Sequence, residues 1–161
     1  MRFKAFIFEL EGVLVDTSLL LNRQEASYAN PFQDDFSHEY LKEGAEELLL
    51  QLKRQGVKTA VVSTARYFSL SLNHLGLLNY ADRVLSFNEH PLSESSGNAF
   101  IDAAKLLQIN PKRCVGVVGC VTSLTNVKAA NMYVIGIGPP EIIGAADITF
   151  SHLKDIILND L

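Results

Sequence analysis

Two carboxylates directly follow the first apolar run of this sequence. Glu9 and Glu11 stand two residues apart, just after the aromatic-rich segment 3–8, and Gly12 follows them. Because alternate residues leaving a strand share one side, both acids are able to converge on a single ligand. A pair of solvated acids at a strand end is the other interpretation, and this segment alone leaves both open.

The surrounding sequence alternates short apolar runs with helical patterns. The predicted strands cover 3–8, 57–62, 83–87, 114–118, 133–137 and 147–150, and the predicted helices cover 43–55, 67–75, 95–107, 123–130 and 153–158. Apolar strands that alternate with helices indicate a parallel sheet covered on both faces. We therefore predict an α/β fold, a three-layer doubly wound parallel sheet, in a single domain over residues 1–161.

Sheets of this kind bind their ligands at the carboxyl ends of the strands. This rule selects four loops, which begin at Glu9, at Ser63, near 89–94 and at Val118. For two of the predicted helices the sequence supports a more specific prediction. The spacing of Ala45, Leu48, Leu49 and Leu52 predicts one buried helix face, and Asn131 is suited to the left-handed position that ends helix 123–130.

Composition and charge exclude several classes of function. The chain is 48% hydrophobic with a formal net charge of −4, so we expect a globular core and no nucleic-acid partner. Cys114 and Cys120 are too few for a disulfide framework, which indicates a reduced, cytoplasmic setting. Glu9 interrupts the N-terminal apolar run, so we expect neither a signal peptide nor a membrane span. Cys120 is interpreted as a structural residue, with a reactive thiol as the alternative.

The segment Phe-Glu-Leu-Glu-Gly-Val-Leu-Val-Asp-Thr at 8–17 resembles the first motif of the haloacid dehalogenase superfamily, in its β-phosphoglucomutase-like subgroup. Segments 41–44, 61–64, 100–104, 115–132 and 135–138 resemble the later parts of the same pattern in the same order. The resemblance spans nearly the whole chain and implies a Rossmann-like core.

The resemblance also implies a role for each loop. In the family an aspartate at position 9 attacks phosphorus, and an aspartate at position 11 is the general acid and base. A hydroxyl at position 63 holds a phosphate oxygen, a lysine at position 94 neutralises the phosphoryl charge, and acids at 118 and 119 help to hold Mg2+. Thr64 and Arg66 lie in the same loop as Ser63 and are further candidates for binding a ligand.

This chain departs from that pattern at nearly every charged position. Glu9 and Glu11 replace the aspartates, Glu94 occupies the lysine position, and Val118 and Gly119 replace the metal-binding acids. A carboxylate displaced by ~1 Å costs on the order of 100-fold in rate, and a lost electrostatic partner costs a further ~100- to 1000-fold. Phosphoryl transfer consists mostly of positioning and charge stabilisation, so we expect the reaction to be lost.

The helical cap of the subgroup is expected to be reduced to a loop or one short helix. Only segment 18–40 is available for it, and that is too short for a helical bundle. The aromatic residues Tyr28, Phe32, Phe36 and Tyr40 are expected to pack this segment on the crevice, and a partner-binding surface is the alternative. An open crevice suits a protein partner or a second copy of the chain better than a small sugar phosphate.

Three hypotheses follow. The first is a non-catalytic domain with a binding, regulatory or scaffolding role and no resident cofactor. The second is a weak Mg2+-dependent phosphatase or phosphosugar enzyme that uses Glu9 and Glu11, with Arg66 in place of the lost lysine. The third is a domain that binds a cation or a small anion in the old pocket.

Overall fold

The computed structural model describes residues 2–16, 18, 41–63, 79–85 and 97–161. Within these ranges six parallel strands form one sheet in the order β3-β2-β1-β4-β5-β6. The strands are β1 Ala5–Glu9, β2 Lys58–Val62, β3 Arg83–Leu85, β4 Cys114–Val118, β5 Tyr133–Ile137 and β6 Ile148–Phe150. The order reverses between β1 and β4, which is where a doubly wound sheet opens its ligand crevice. The predicted fold class is therefore confirmed.

The described helices cover the two faces of this sheet. They are α1 Ala45–Arg54, α2 Ala99–Leu107, α3 Val121–Ala129 and the short α4 Pro140–Ile143. Side chains of β1 alternate between the faces: Phe6 and Phe8 lie in the core under α1, whereas Ala5 and Ile7 lie in the core under α2 and α3. The first strand is thus buried on both sides, as its continuous apolar run predicts.

Two helix predictions are confirmed in detail. The face of α1 that packs on the sheet is formed by the four residues named from the spacing, Ala45, Leu48, Leu49 and Leu52. Asn131 has φ +56 after the end of α3, which is the left-handed conformation expected there. The predicted helix 67–75 and the segment 19–40 lie outside the described residues.

The predicted helix starts are displaced because caps decide them. The pattern places one helix start at 95, but α2 begins at Ala99, where the Asn98 side chain accepts hydrogen bonds from the Phe100 and Ile101 N–H groups. The other predicted start is at 123, but α3 begins two residues earlier, after Cys120. Cys120 is a poor capping residue by type, so the pattern carries no signal for it.

The predicted C-terminal helix over 153–158 is wrong. Two single 3-10 turns replace it, Leu153–Asp155 and Leu158–Asp160, with Ile156 extended between them at φ −75 and ψ 116. Leu153, Ile156 and Leu158 are buried, so the core selects this irregular path. Conversely, the predicted Gly-Pro-Pro turn leads directly into α4, because proline is well tolerated in the first turn of a helix.

Two glycines allow α3 and α4 to lie close against the sheet. A Cβ built at Gly116 in β4 would overlap the Val127 side chain of α3. A Cβ built at Gly136 in β5 would come within 2.6 Å of Ile143 in α4. The close approach at Gly116 fixes the distance between α3 and the sheet. This distance matters because the first turn of α3 carries part of the candidate site. None of the described helices combines the length and the apolar character needed to cross a membrane.

Candidate functional site

The carboxylate of Glu9 is buried at the carboxyl end of β1. Its side chain is only 4% exposed. One oxygen, Oε2, accepts a hydrogen bond from the Gly119 N–H at 2.9 Å. The other, Oε1, accepts from the Ser123 hydroxyl at 2.7 Å and from the Cys120 thiol at 3.2 Å. Both carboxylate oxygens are therefore occupied by donors from the β4–α3 loop and the first turn of α3.

The start of α3 is a suitable environment for this negative charge. The first N–H groups of a helix lack partners within the helix, and the helix dipole favours an anion there. Cys120 is the residue before α3, and its sulfur lies 3.5 Å from the Ser123 backbone nitrogen. Gly119 is a site residue through its backbone: a Cβ there would lie 3.2 Å from Val13 Cγ2, so a side chain would crowd the first loop.

The second acid, Glu11, lies on the other side of β1. The Ser63 hydroxyl donates a short hydrogen bond to Glu11 Oε1, and Ser63 follows β2. Because β2 and β4 flank β1 on opposite sides, Glu9 and Glu11 hydrogen-bond to opposite neighbours of β1. The strand ends at Glu9 and the chain turns at Gly12 with φ +76, so strand alternation no longer relates the two residues.

Lys42 is a site residue that the sequence interpretation missed. Its ammonium group donates to the Gly12 carbonyl oxygen at 2.6 Å, and its backbone N–H donates to the Leu14 carbonyl at 2.8 Å. An antiparallel bridge between Val15 and Leu41 continues this contact. Lys42 therefore fastens the first loop to the segment that leads into α1. A lysine where the core resumes after segment 18–40 is the only sequence signal for this role.

A cavity of about 370 Å3 adjoins the first loop near the ends of β5 and β6. Its walls include Asp16, Lys42, Glu43, Ile137 and His152. The Lys42 ammonium is bound to the Gly12 carbonyl, and the Glu43 carboxylate pairs with Lys154 Nζ at 2.8 Å. Both of these charges are thus committed to internal partners.

The described residues do not fit a magnesium ion. Val118 is fully buried at the end of β4 and offers no oxygen side chain, and neither does Gly119. The Glu9 oxygens face hydrogen-bond donors, whereas a cation needs them to face the metal. In the described part of the chain no cluster of three or more His, Cys, Asp or Glu residues is able to hold a metal. Thr64, Arg66 and Glu94 lie outside the described residues.

The two cysteines differ in setting. Burial raises the pKa of the Cys114 thiol to about 11, and its sulfur lies 3.5 Å from the Asn110 carbonyl oxygen. This cysteine is a core residue. Cys120 is partly exposed and donates to Glu9, so it belongs to the hydrogen-bonded cluster at the start of α3.

The strand order and the acid that ends β1 define a doubly wound domain with its site at the point where the order reverses. A family profile described as haloacid dehalogenase-like hydrolase matches residues 19–117. The chain belongs to this family of hydrolases.

Its relatives include β-phosphoglucomutases. The β-phosphoglucomutase of Bacillus subtilis is 21% identical over an alignment of 208 residues that covers 96% of this chain and 92% of that protein. The alignment is longer than the 161-residue chain, so the relative contains stretches that this chain lacks.

Solved structures show the same fold. The β-phosphoglucomutase of Clostridium difficile matches with a TM-score of 0.79 and 20% identity, covering 98% of this chain and 95% of that one. CbbY from Rhodobacter sphaeroides, solved in complex with phosphate, matches with a TM-score of 0.73 and 15% identity, covering 95% and 96%.

Proposed function

We propose that this haloacid dehalogenase-like domain has lost phosphoryl transfer and works as a binding, regulatory or scaffolding protein. The observation that carries the proposal is the state of the Glu9 carboxylate. It is buried, and both of its oxygens accept hydrogen bonds from the β4–α3 loop and α3. A nucleophile needs a lone pair directed at phosphorus, and here three donors of the protein already engage lone pairs of the carboxylate.

Freeing the carboxylate for attack is costly. Hydrogen bonds to a charged group contribute ~1.5–3 kcal/mol each, and the partly buried donor at Gly119 and the buried donor at Ser123 would be left without an acceptor. Glu is also one methylene longer than Asp, which moves the attacking oxygen by ~1 Å and costs on the order of 100-fold. Together these effects supply a physical reason for inactivity.

The phosphate-binding hydroxyl is occupied as well. The Ser63 hydroxyl donates a hydrogen bond to Glu11, so a phosphate oxygen entering this loop would meet a carboxylate. The absence of acids at Val118 and Gly119 removes the cation that would screen this repulsion. A phosphate dianion is therefore a poor ligand for these strand ends, which also counts against the small-anion hypothesis.

Turnover measurements test this proposal directly. Purified wild type is assayed with an aryl phosphate and with sugar phosphates in the presence of Mg2+, beside Glu9→Ala and the double variant Glu9→Asp with Glu11→Asp. We expect wild type and Glu9→Ala to show the same background rate, since neither contains a usable nucleophile. Turnover by the wild type that disappears in Glu9→Ala would overturn the proposal and support the weak phosphatase.

The cation-binding alternative is tested by calorimetry. Glu9 and Glu11 hydrogen-bond to opposite neighbours of β1, which counts against a shared oxygen cage. We expect titration of wild type with Mg2+ or Ca2+ to give only the heat of dilution. Saturable heat that is absent in Glu11→Gln would support cation binding in the old pocket.

A further inference from the structure

Exposed cations stand where neighbouring strands begin. The strands β3, β2, β1 and β4 are consecutive in the sheet. At their starts stand, in the same order, Arg83, Lys58, Lys4 and Arg113, and all of these side chains are exposed. The Lys58 N–H donates to the Lys4 carbonyl at 3.0 Å, and the Lys4 N–H donates to the Arg113 carbonyl at 2.8 Å. The parallel sheet therefore places these cations side by side.

Arg2 extends this series to the start of β5. Tyr133 is the first residue of that strand, and the Arg2 guanidinium carbon lies 5.7 Å from its ring centroid and 4.8 Å from the ring centroid of Phe3. Cation–π contacts of this kind orient a guanidinium without neutralising its charge. The series ends at the next strand, because Asp147 precedes β6. We call these five exposed cations the basic row: Arg2, Lys4, Lys58, Arg83 and Arg113.

Most of the positive charge of the basic row is uncompensated. Asp82 pairs with Lys58 at 2.7 Å, and the partial exposure of both side chains makes this pair weak. In the part of the chain that the structure describes, Arg2, Lys4 and Arg113 form no ion pair. Their charge is available to a partner molecule.

Folding does not account for the basic row. Cations in the last turn of a helix complement the helix dipole, and this explains Lys105 in α2 and Lys128 in α3. The cations of the basic row lie outside the α-helices, and strand dipoles leave a sheet with only a small net dipole. Like charges placed side by side repel each other and lower stability. A partner that neutralises the basic row therefore explains it better than folding does.

We propose that the basic row binds a short acidic segment of a partner polypeptide. Carboxylates complement its charge and accept hydrogen bonds from lysine and arginine side chains. The net charge of −4 repels an extended polyanion such as nucleic acid or an anionic membrane. A short segment interacts mainly with charges within the Debye length, about 8 Å at physiological ionic strength. The basic row lies at the opposite end of β1 from Glu9, so this inference goes beyond the proposed function.

The length of the basic row sets the length of the segment. Neighbouring strands are about 4.8 Å apart, so the strand starts from β3 to β5 span about 19 Å. An extended peptide advances about 3.3 Å per residue, so about six residues cover this span. A fluorescently labelled peptide of about six glutamates is therefore the probe, and a glutamine peptide of equal length is the uncharged control.

Fluorescence anisotropy tests the binding. We expect wild type to bind the glutamate peptide at low ionic strength and to release it at about 1 M salt, where the Debye length is roughly 3 Å. The glutamine peptide should not bind, because exposed charges supply the attraction. Absence of saturable binding of the glutamate peptide at low ionic strength, or equal binding of both peptides, would overturn the proposal.

Two single charge reversals locate the surface. Lys4→Glu places an acid in the middle of the basic row, whereas Lys154→Glu makes the same change in net charge beside Gly44, at the other end of the sheet. Both lysines are exposed, and circular dichroism checks that each variant folds. We expect Lys4→Glu to weaken binding roughly fivefold or more, and Lys154→Glu to weaken it less than about twofold. Equal weakening by both variants would assign the binding to net charge and contradict the proposal.

Anionic lipid and nucleic acid are the competing ligands. Vesicles of phosphatidylcholine with phosphatidylserine, and a single-stranded DNA oligonucleotide, are added to wild type at the same low ionic strength. Displacement of either ligand by excess glutamate peptide supports the proposal, whereas binding that the peptide does not displace would assign the surface to that polyanion instead. None of these measurements depends on turnover. Failure of this proposal is therefore distinguishable from failure of the proposed loss of catalysis.

Discussion

At the scale of single residues, the proposed function gives position 9 a structural role in place of a chemical one. The Glu9 side chain is long enough to reach from β1 to both the Gly119 N–H and the Ser123 hydroxyl. Aspartate, the residue that the family chemistry requires here, is one methylene shorter. The additional methylene of Glu9 therefore allows the carboxylate to hold the start of α3.

We expect Glu9→Asp to destabilise the fold rather than restore an ancestral site. The shorter side chain loses at least one hydrogen bond and leaves a buried donor without an acceptor, at a cost of about 1–3 kcal/mol. Urea denaturation followed by circular dichroism measures the loss.

The control for Glu9 is a double-mutant cycle with Ser123→Ala. If the two side chains interact as described, the losses for Glu9→Gln and Ser123→Ala are not additive. Additive losses, or a Glu9→Asp variant as stable as wild type, would show that this hydrogen bond contributes nothing to the fold.

At the scale of elements, α3 is positioned by β4 as well as by Glu9. Gly116 allows Val127 to approach the strand. We expect Gly116→Ala to cost about 1–3 kcal/mol because the new methyl overlaps the valine. Addition of Val127→Ala should return part of that loss by removing the overlap. A thermal melt of the single and double variants checks this, and no recovery in the double variant would mean that the strain is relieved elsewhere.

The edge of the sheet at β3 depends on an ionised aspartate. Partial burial alone would raise the pKa of Asp82, but hydrogen bonds from Lys58 and the Thr59 N–H, together with the Lys58 charge, lower its pKa below the usual value. A carboxyl with a lowered pKa stabilises the fold above its unfolded pKa of about 3.9, and this contribution is lost as pH falls through the folded pKa.

We therefore expect Asp82→Asn to lower the stability of the fold at pH 7 by about 1 kcal/mol or less, since the ion pair is partly exposed. The difference from wild type should shrink as pH falls below the unfolded pKa of about 3.9 and through the lowered folded pKa. Denaturation at a series of pH values measures both. A difference that is constant over this range would contradict the assignment.

The bounds and buried faces of several helices and strands can be predicted from the sequence. The bounds of β4 and β5 agree with their apolar runs, and the buried face of α1 follows from its spacing. Local sequence patterns give no information about contacts between residues that are far apart in the chain. Glu9 and Gly119 are 110 positions apart, and neither the cap at Cys120 nor the 3-10 turns after β6 have a local signature. The roles of Glu9, Gly119 and Lys42 are therefore visible only in the fold.

At the scale of the whole molecule, net charge conceals the distribution of charge. A value of −4 and a sequence pI of about 5.5 describe an acidic protein. The topology nevertheless gathers the strand starts and the last turns of the helices at one end, where Lys4, Lys112 and Arg113 are exposed. The parallel arrangement of the strands therefore collects positive side chains at the end of the sheet where the strands begin.

We expect this acidic protein to be retained on a cation exchanger at pH 7 and low salt. Retention requires only that one surface be positive, and the strand starts with Lys4, Lys112 and Arg113 supply it. Lys112→Glu with Arg113→Glu should pass without retention, whereas Lys154→Glu, which changes a cation away from the strand starts, should be retained like wild type. Flow-through of the wild type would contradict the segregation of charge.

The internal contact of Glu9 has a consequence for how this domain responds to its surroundings. A protein whose folded state binds an ion gains stability with the concentration of that ion, by RT ln(1 + [L]/Kd). Here the start of α3 is held by a side chain of the same chain, and that partner is present at any ion concentration. Melting temperatures in excess Mg2+ and in excess chelator should coincide. Such a domain would persist unchanged as the divalent ion supply rises and falls.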